Sequence, residues 1–142
     1  MMTDKGNIAI IGGGAAGLAA AVFAAESGGR PFIVEKNDRV GKKLRITGKG
    51  RCNVTNNSDV NTHITNILTN PRFMYGPLSN FTPADTMAFF ERLGVPLKTE
   101  RGQRVFPVSD NANDIVGALK NHLDRLGVPI IRAVVDKILV QY

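Results

Sequence analysis

The stretch Ile11-Gly12-Gly13-Gly14-Ala15-Ala16-Gly17 decides the fold. It carries the spacing G-x-G-x-x-G as Gly12, Gly14 and Gly17, and each glycine has a physical task. Gly12 permits a tight turn out of a strand, Gly14 lets backbone approach a pyrophosphate with no Cβ in the way, and Gly17 lets a helix pack closely on the strand. Upstream, Asn7–Ile11 is a nearly all-apolar run and reads as a buried parallel strand. Downstream, Ala15–Ser27 is alanine-rich and reads as a helix stopped by Gly28 and Gly29. Pro31–Glu35 reads as a second buried strand, completing one right-handed βαβ unit. The helix start at Ala15 and Ala16 then offers free N–H groups and a partial positive charge to phosphates. Glu35 ends the second strand, where a carboxylate accepts hydrogen bonds from ribose hydroxyls and repels a ribose 2′-phosphate, which argues against NADP in this site. The plainer alternative is a glycine-rich turn that binds nothing, with Glu35 a surface charge; strand, helix and acid in register weigh against it.

The glycines do not choose between NAD and FAD. The next segment, Glu35-Lys36-Asn37-Asp38-Arg39-Val40-Gly41-Lys42-Lys43-Leu44, points to FAD. A glycine soon after the acid, followed by a basic stretch and an extended loop, is common where the chain must run along the cofactor toward a flavin. Ordinary NAD domains more often continue directly into a helix. The residues from Lys36 to Asn70 read as a long loop with one or two short helical turns, and a loop of that length is usually functional.

Farther on, Thr82 reads as a helix N-cap with Pro83 at the first helical position and Asp85 favouring the positive end; this helix runs to Leu93 and closes at Gly94. Val95–Glu100 and Gln103–Val108, joined by Arg101-Gly102, read as a β-hairpin. Ser109–Asp114 offers several caps for a helix over Ile115–Leu126, with Gly127 at its end. Val128–Val135 and Asp136–Gln141 are apolar and β-branched and read as one or two strands. The fold class is therefore α/β, a Rossmann-type FAD/NAD(P)-binding domain with a parallel sheet and a β-hairpin, occupying residues 1–142 as one domain.

Composition narrows the function. The net charge of +6 points to phosphates of some kind, and Lys42, Lys43, Arg45, Lys49 and Arg51 concentrate it. That basic run has no interleaved aromatics and no zinc-finger, KH or RRM signature, so a nucleic-acid partner ranks below a cofactor phosphate or the electron-rich end of a flavin. Cys52 is the single cysteine, which suits a reducing cytoplasm and rules out a dithiol relay within the chain. A lone thiol beside Arg51 could be activated; packing in a tight loop is the favoured reading. The apolar segment Ile8–Ala25 resembles a signal peptide only until its three consecutive glycines are counted, and no uninterrupted stretch is long enough to span a bilayer. His63 and His122 fall in no metal-ligand or triad spacing, and no HExxH or CxxC pattern occurs, which leaves redox chemistry to a bound cofactor. Asn53 and Asn56 match the N-glycosylation spacing but are read as turn formers.

Gly41-Lys42-Lys43-Leu44-Arg45-Ile46-Thr47-Gly48-Lys49-Gly50-Arg51-Cys52-Asn53-Val54-Thr55-Asn56 resembles the hallmark loop of a bacterial family of NAD(P)/FAD-dependent oxidoreductases, the aminoacetone-oxidase-like flavoproteins, which include bile-acid-reducing members. Arg104-Val105-Phe106-Pro107-Val108-Ser109-Asp110 resembles a second family segment, and the likeness extends from Asn7 to about Ile138. The resemblance implies that Gly12, Gly14, Ala15, Ala16, Gly17 and Glu35 contact the adenosine and pyrophosphate of FAD. It implies that Lys36, Lys43, Leu44, Thr47, Gly48, Arg51, Cys52 and Asn53 line the rest of the cofactor, and that a strand near Val135 holds adenine through its backbone. Members of that family are longer, so the chain is expected to be their N-terminal portion, without the substrate domain and the return segment that complete the flavin site.

Three functions compete. The first is the FAD-binding part of an oxidoreductase moving two electrons between a small-molecule substrate and FAD, with NAD(P)H or oxygen as the other redox partner. The second is an NAD-dependent dehydrogenase domain, which leaves the long loop unexplained. The third is a non-catalytic flavoprotein module that pairs with another chain; self-association through exposed strand edges is expected of it. No membrane partner is expected.

Overall fold

The glycine turn does what its spacing requires. The computed structural model describes residues 6–140. In chain order its elements are β1 (Asn7–Ile11), α1 (Ala15–Glu26), β2 (Arg30–Glu35), β3 (Thr55–Asn56), α2 (Val60–Thr65), α3 (Tyr75–Asn80), α4 (Pro83–Arg92), β4 (Leu97–Glu100), β5 (Arg104–Pro107), α5 (Ala112–Arg125) and β6 (Ile130–Arg132). Short 3-10 segments span Leu44–Gly50, Pro71–Met74 and Arg101–Gln103. The described residues up to Arg45, together with those from Val116, form one unit, and Ile46–Ile115 form a second.

The first unit is a parallel sheet in the order β1-β2-β6, with Asn7 opposite Arg30 and Ile33 opposite Ile130. Leu18, Ala21 and Val22 bury one side of α1, and Ile33 is fully buried at the centre of β2. The helix ends where the sequence stops it: the N–H groups of Ser27, Gly28 and Gly29 bond back to Phe23, Ala25 and Ala24, with Gly28 at φ +78°. β2 is buried as expected and lies at the centre of the sheet, but β1 is not buried. Ile11 is 55% exposed and Ile8 42% exposed. Among the described residues β1 pairs only with β2, so its outer edge and part of its faces lack the neighbours that bury strands in a parallel sheet.

The strand expected over Val128–Val135 shrinks to Ile130–Arg132. Pairing continues for one further bond, from Ala133 N to Glu35 O at 3.1 Å, and then β2 has ended. Residues 133–140 are all exposed and form no strand, because β-branched sequence without a partner has nothing to bond to. The strand expected over 136–141 is thus absent through residue 140, and Gln141 lies outside the described residues. Val135 sits beyond β6, in extended exposed chain rather than in a strand.

The second unit is an antiparallel sheet in the order β3-β5-β4. The expected hairpin is β4 and β5, joined through Arg101–Gln103 with Gly102 at φ +76°. β3 has no signal in the sequence; it lies inside the long loop and pairs Thr55 with Val105 and Asn56 with Arg104. α4 begins as expected: Thr82 Oγ1 accepts from Asp85 N, the Asp85 carboxylate accepts from Thr82 N, and Pro83 occupies the first turn. Val105, Phe106, Phe89, Phe90 and Val95 are buried in this unit. Phe89 and Phe90, neighbours on α4, set their rings edge to face with centroids 5.2 Å apart. α5 begins in this unit and belongs to the first from Val116 on; its buried residues are Ala112 and Ile115 in the second unit and Val116, Leu119 and Leu123 in the first, and Asn111 caps it by accepting from Asn113 N at 2.9 Å.

Candidate dinucleotide site

At the end of β1 the chain reverses through Gly12 at φ +98°, with Gly12 N donating to Val34 O at 2.8 Å. Gly14 is the extended N-cap of α1, which has no side-chain cap and no acid in its first turn. The first helical bond runs from Leu18 N to Gly14 O, leaving the N–H groups of Ala15, Ala16 and Gly17 at the open end of the helix. Building a Cβ on each glycine separates their roles. On Gly14 it would meet nothing within 4 Å, so this glycine keeps clear the space over the helix N-terminus. On Gly17 it would collide with the backbone oxygen of Gly12, the close helix–strand approach the spacing predicts.

Gly13, the middle glycine, was given no task by the sequence reading. A Cβ there would lie 2.5 Å from Val40 Cγ1 and 3.3 Å from a Glu35 carboxylate oxygen. Its N–H donates to Glu35 Oε2 at 2.6 Å, and its carbonyl accepts from Gly41 N at 2.7 Å. The turn is therefore stitched to the segment after β2 on both sides. The only sequence signal was the third consecutive glycine.

Glu35 is 7% exposed and its carboxylate is held by three donors. Besides Gly13 N, the Asn37 backbone N–H and side-chain Nδ2 both reach Oε1, at 2.8 and 2.6 Å. The Asn37 backbone bond and then the Gly13 bond hold the carboxyl below its ordinary range; burial opposes them, and the Asn37 amide and Lys36 N–H add smaller pulls downward. The charged form is the one stabilised, as ribose recognition requires.

Glu35 also lines a cavity of about 410 Å³ with Arg39, Arg45 and Arg132 around it and Val40, Pro129 and Ile130 as apolar wall. A larger cavity of about 500 Å³ lies at the other end of the sheet, beside Asn7 and Arg30 at the starts of β1 and β2. Ligands of open α/β sheets bind beyond the carboxyl ends of the strands, which favours the cavity beside Glu35.

The remaining expected site residues divide. Lys36 and Lys43 are exposed, and Leu44 is half-buried at the start of the 3-10 segment. Thr47, Gly48, Arg51, Cys52 and Asn53 belong to the second unit. There the backbone winds through positive φ at Gly48, Lys49, Gly50 and Cys52. A Cβ on Gly48 would lie 2.8 Å from the Phe106 ring. Arg51 stacks 4.0 Å over that ring, and its Nη1 reaches Glu100 at 2.9 Å and Asp110 at 3.2 Å. Lys98 closes the cluster on Asp110 at 2.7 Å. Lys98 first, and Arg51 after it, hold the Asp110 carboxyl below its ordinary range. Arg51 thus joins the hallmark loop to the hairpin, a role the sequence did not reveal.

Cys52 is buried, its N–H bonded to Thr47 O at 3.0 Å, and burial pushes its thiol pKa up against a smaller opposing pull from Thr47. That fits the packing role and not an activated thiolate. The Asn53 amide, turned with its nitrogen inward, donates to Thr55 O and Val105 O. His122 bonds Glu26 of α1 at 2.8 Å and His63 meets Ser58 Oγ at 3.2 Å. Among the described residues no group of three or more His, Cys, Asp or Glu is placed to hold a metal, and no helix is long and apolar enough to cross a membrane.

A parallel sheet, a glycine turn opening α1 and an acid fixed at the end of β2 define a Rossmann dinucleotide-binding domain. The HI0933-like protein Rossmann domain matches residues 6–139, and the chain belongs to that family. It is 39% identical over 130 residues to the 3-dehydro-bile acid delta(4,6)-reductase of Clostridium scindens, covering 89% of this chain and 31% of the relative. It is 30% identical over 122 residues to the ribosomal RNA dihydrouridine synthase of Haemophilus influenzae, covering 86% of this chain and 30% of that protein. The Escherichia coli ribosomal RNA dihydrouridine synthase matches at 28% over 117 residues, 82% of this chain and 28% of the relative. The chain spans about a third of the length of the curated relatives it matches. Among solved structures, THI4 of Thermovibrio ammonificans shares the fold with a TM-score of 0.56 at 17% identity, over 89% of this chain and 37% of that one.

Proposed function

We propose that this chain is the FAD-binding part of a flavin-dependent oxidoreductase. The observation that carries the reading is the carboxylate of Glu35, charged and fixed on the Gly13 N–H beside the uncapped N-terminus of α1. The first-turn N–H groups of α1 hold a pyrophosphate, Gly14 leaves it room, and Glu35 accepts from the adjoining ribose. These groups suit NAD equally; the long loop from Lys42 to Asn56 supports FAD, since it gives the chain a path along a longer cofactor. Bound there, FAD supplies two-electron chemistry that the side chains of this chain cannot. The names of the relatives denote reductions, a delta(4,6)-reductase and a synthase of dihydrouridine, which supports substrate reduction as the direction of the chemistry; NAD(P)H is the donor this reading assigns. Because Glu35 repels a 2′-phosphate, an NADPH donor would bind away from the glycine turn. The lone cysteine supports a reducing, cytoplasmic setting.

The test is a visible absorbance spectrum of the purified chain before and after incubation with FAD and desalting. Retained flavin bands support the proposal. A chain that retains no flavin but binds NADH saturably overturns it in favour of a nicotinamide domain.

A further inference from the structure

The hydrogen bonds around Glu35 count out what its carboxylate has left to give. A carboxylate offers about four acceptor positions, two on each oxygen. Oε1 already accepts from Asn37 N at 2.8 Å and from Asn37 Nδ2 at 2.6 Å. Oε2 accepts from Gly13 N at 2.6 Å. Both positions of Oε1 are thus taken, and a ligand hydroxyl is left only Oε2, where the Gly13 N–H already sits and the weaker pull of the Lys36 N–H also bears on the carboxylate. A ribose presents two adjacent hydroxyls, and a carboxylate with both oxygens open would take one on each.

We propose that Asn37 is a specificity-determining residue, which by occupying Oε1 makes Glu35 the acceptor of one ribose hydroxyl and not of the vicinal pair. The inference rests on the dinucleotide reading of the site and adds a rule to it: one of the two hydroxyls matters to Glu35 and the other does not. Asn37 suits the task because backbone and side chain donate together. Its backbone N–H and its side-chain Nδ2 reach the same oxygen, and a residue with no side-chain donor would leave half of Oε1 open. The Gly13 bond fixes the carboxylate plane from the other side, so it cannot turn to offer Oε1 instead.

The probes are ADP, 2′-deoxy-ADP and 3′-deoxy-ADP, titrated calorimetrically into the full chain and into Asn37→Ala. In the wild-type chain one deoxy analogue binds roughly tenfold or more weakly than ADP, the loss of a hydrogen bond to a charged group, while the other stays within about threefold. In Asn37→Ala the gap between the two analogues narrows, because Oε1 becomes available to the second hydroxyl. A merely structural effect of the substitution would weaken all three ligands by one factor and leave the gap unchanged, and that result overturns the role of Asn37. Equal losses for the two analogues in the wild-type chain overturn the one-hydroxyl rule while leaving the dinucleotide site standing. Failure of ADP itself to bind removes the site and the rule together.

Discussion

Replacing Gly17 by alanine separates two physical effects of opposite sign. Gly17 lies in the first turn of α1, where alanine is the better helix former by about 1 kcal/mol. Propensity alone therefore predicts a more stable protein. The structure predicts the reverse. The new Cβ would overlap the carbonyl oxygen of Gly12, a backbone atom that cannot rotate aside, and would press on Ile10 Cγ2 at 3.3 Å. Relief requires lifting α1 off the β1 turn. Overpacking of this kind costs about 1–3 kcal/mol, and a backbone obstacle puts the cost at or above the upper end. After subtracting the propensity gain, the net loss is about 2 kcal/mol or more, or roughly 6 °C or more in Tm for a chain of this size. Gly14→Ala is the matched control. Gly14 has φ −81° and a Cβ there meets nothing, so thermal stability should shift little while FAD affinity falls, because the methyl group enters the phosphate's space. Differential scanning fluorimetry reads the first quantity and FAD titration the second. A Gly17→Ala protein as stable as the parent would refute the close approach of α1 to the β1 turn.

Glu35 gives a pH signature. Its folded pKa lies below the ordinary 4.5, so its contribution is fully present above 4.5 and is lost as pH falls through the lowered value. Glu35→Gln, which turns an NH₂ toward Gly13 N–H, should therefore be less stable than the parent at neutral pH, the gap narrowing in acid; urea titrations across that range check it, and a constant gap refutes it. Cys52, 1% exposed with a raised thiol pKa, should react with a disulfide reagent only as fast as the second unit opens; equal native and denatured rates would contradict its burial. The uncovered β1 edge and the exposed Val134, Val135, Ile138, Leu139 and Val140 should drive concentration-dependent association, reduced by Ile11→Lys; light scattering that finds a monomer at every concentration refutes this.

What the sequence revealed was local. The turn at Gly12, the stop at Gly28, the capping box at Thr82 and Asp85, and the hairpin through Gly102 each depend on residues within a few positions of one another. Their chemistry can be read without knowing what lies nearby in space. β3 could not be read this way. Thr55 and Asn56 have no strand periodicity of their own and pair because β5 presents them an edge. The exposure of β1 was misread for the same reason, since an apolar strand looks alike whether or not a second neighbour covers it. The position of Glu35 at the end of β2 was legible from the apolar run before it. Asn37 was not, because its importance lies in how many donors it brings to one oxygen.

The hallmark loop shows how one set of residues answers two demands. Lys49 and Cys52 hold left-handed φ of 59° and 62°, a conformation that costs a non-glycine residue about 1–3 kcal/mol. Such a cost persists only where the surroundings over-determine the backbone, and here they do. Cys52 is buried with its N–H on Thr47 O, Gly48 sits against Phe106, and Arg51 is held by a ring beneath it and two carboxylates beside it. A loop needed only to connect β2 to β3 could avoid this conformation by using glycine at both positions. Keeping lysine and cysteine there, and spending an arginine and two acids on holding the turn, makes sense if the path of the backbone itself is what the loop supplies.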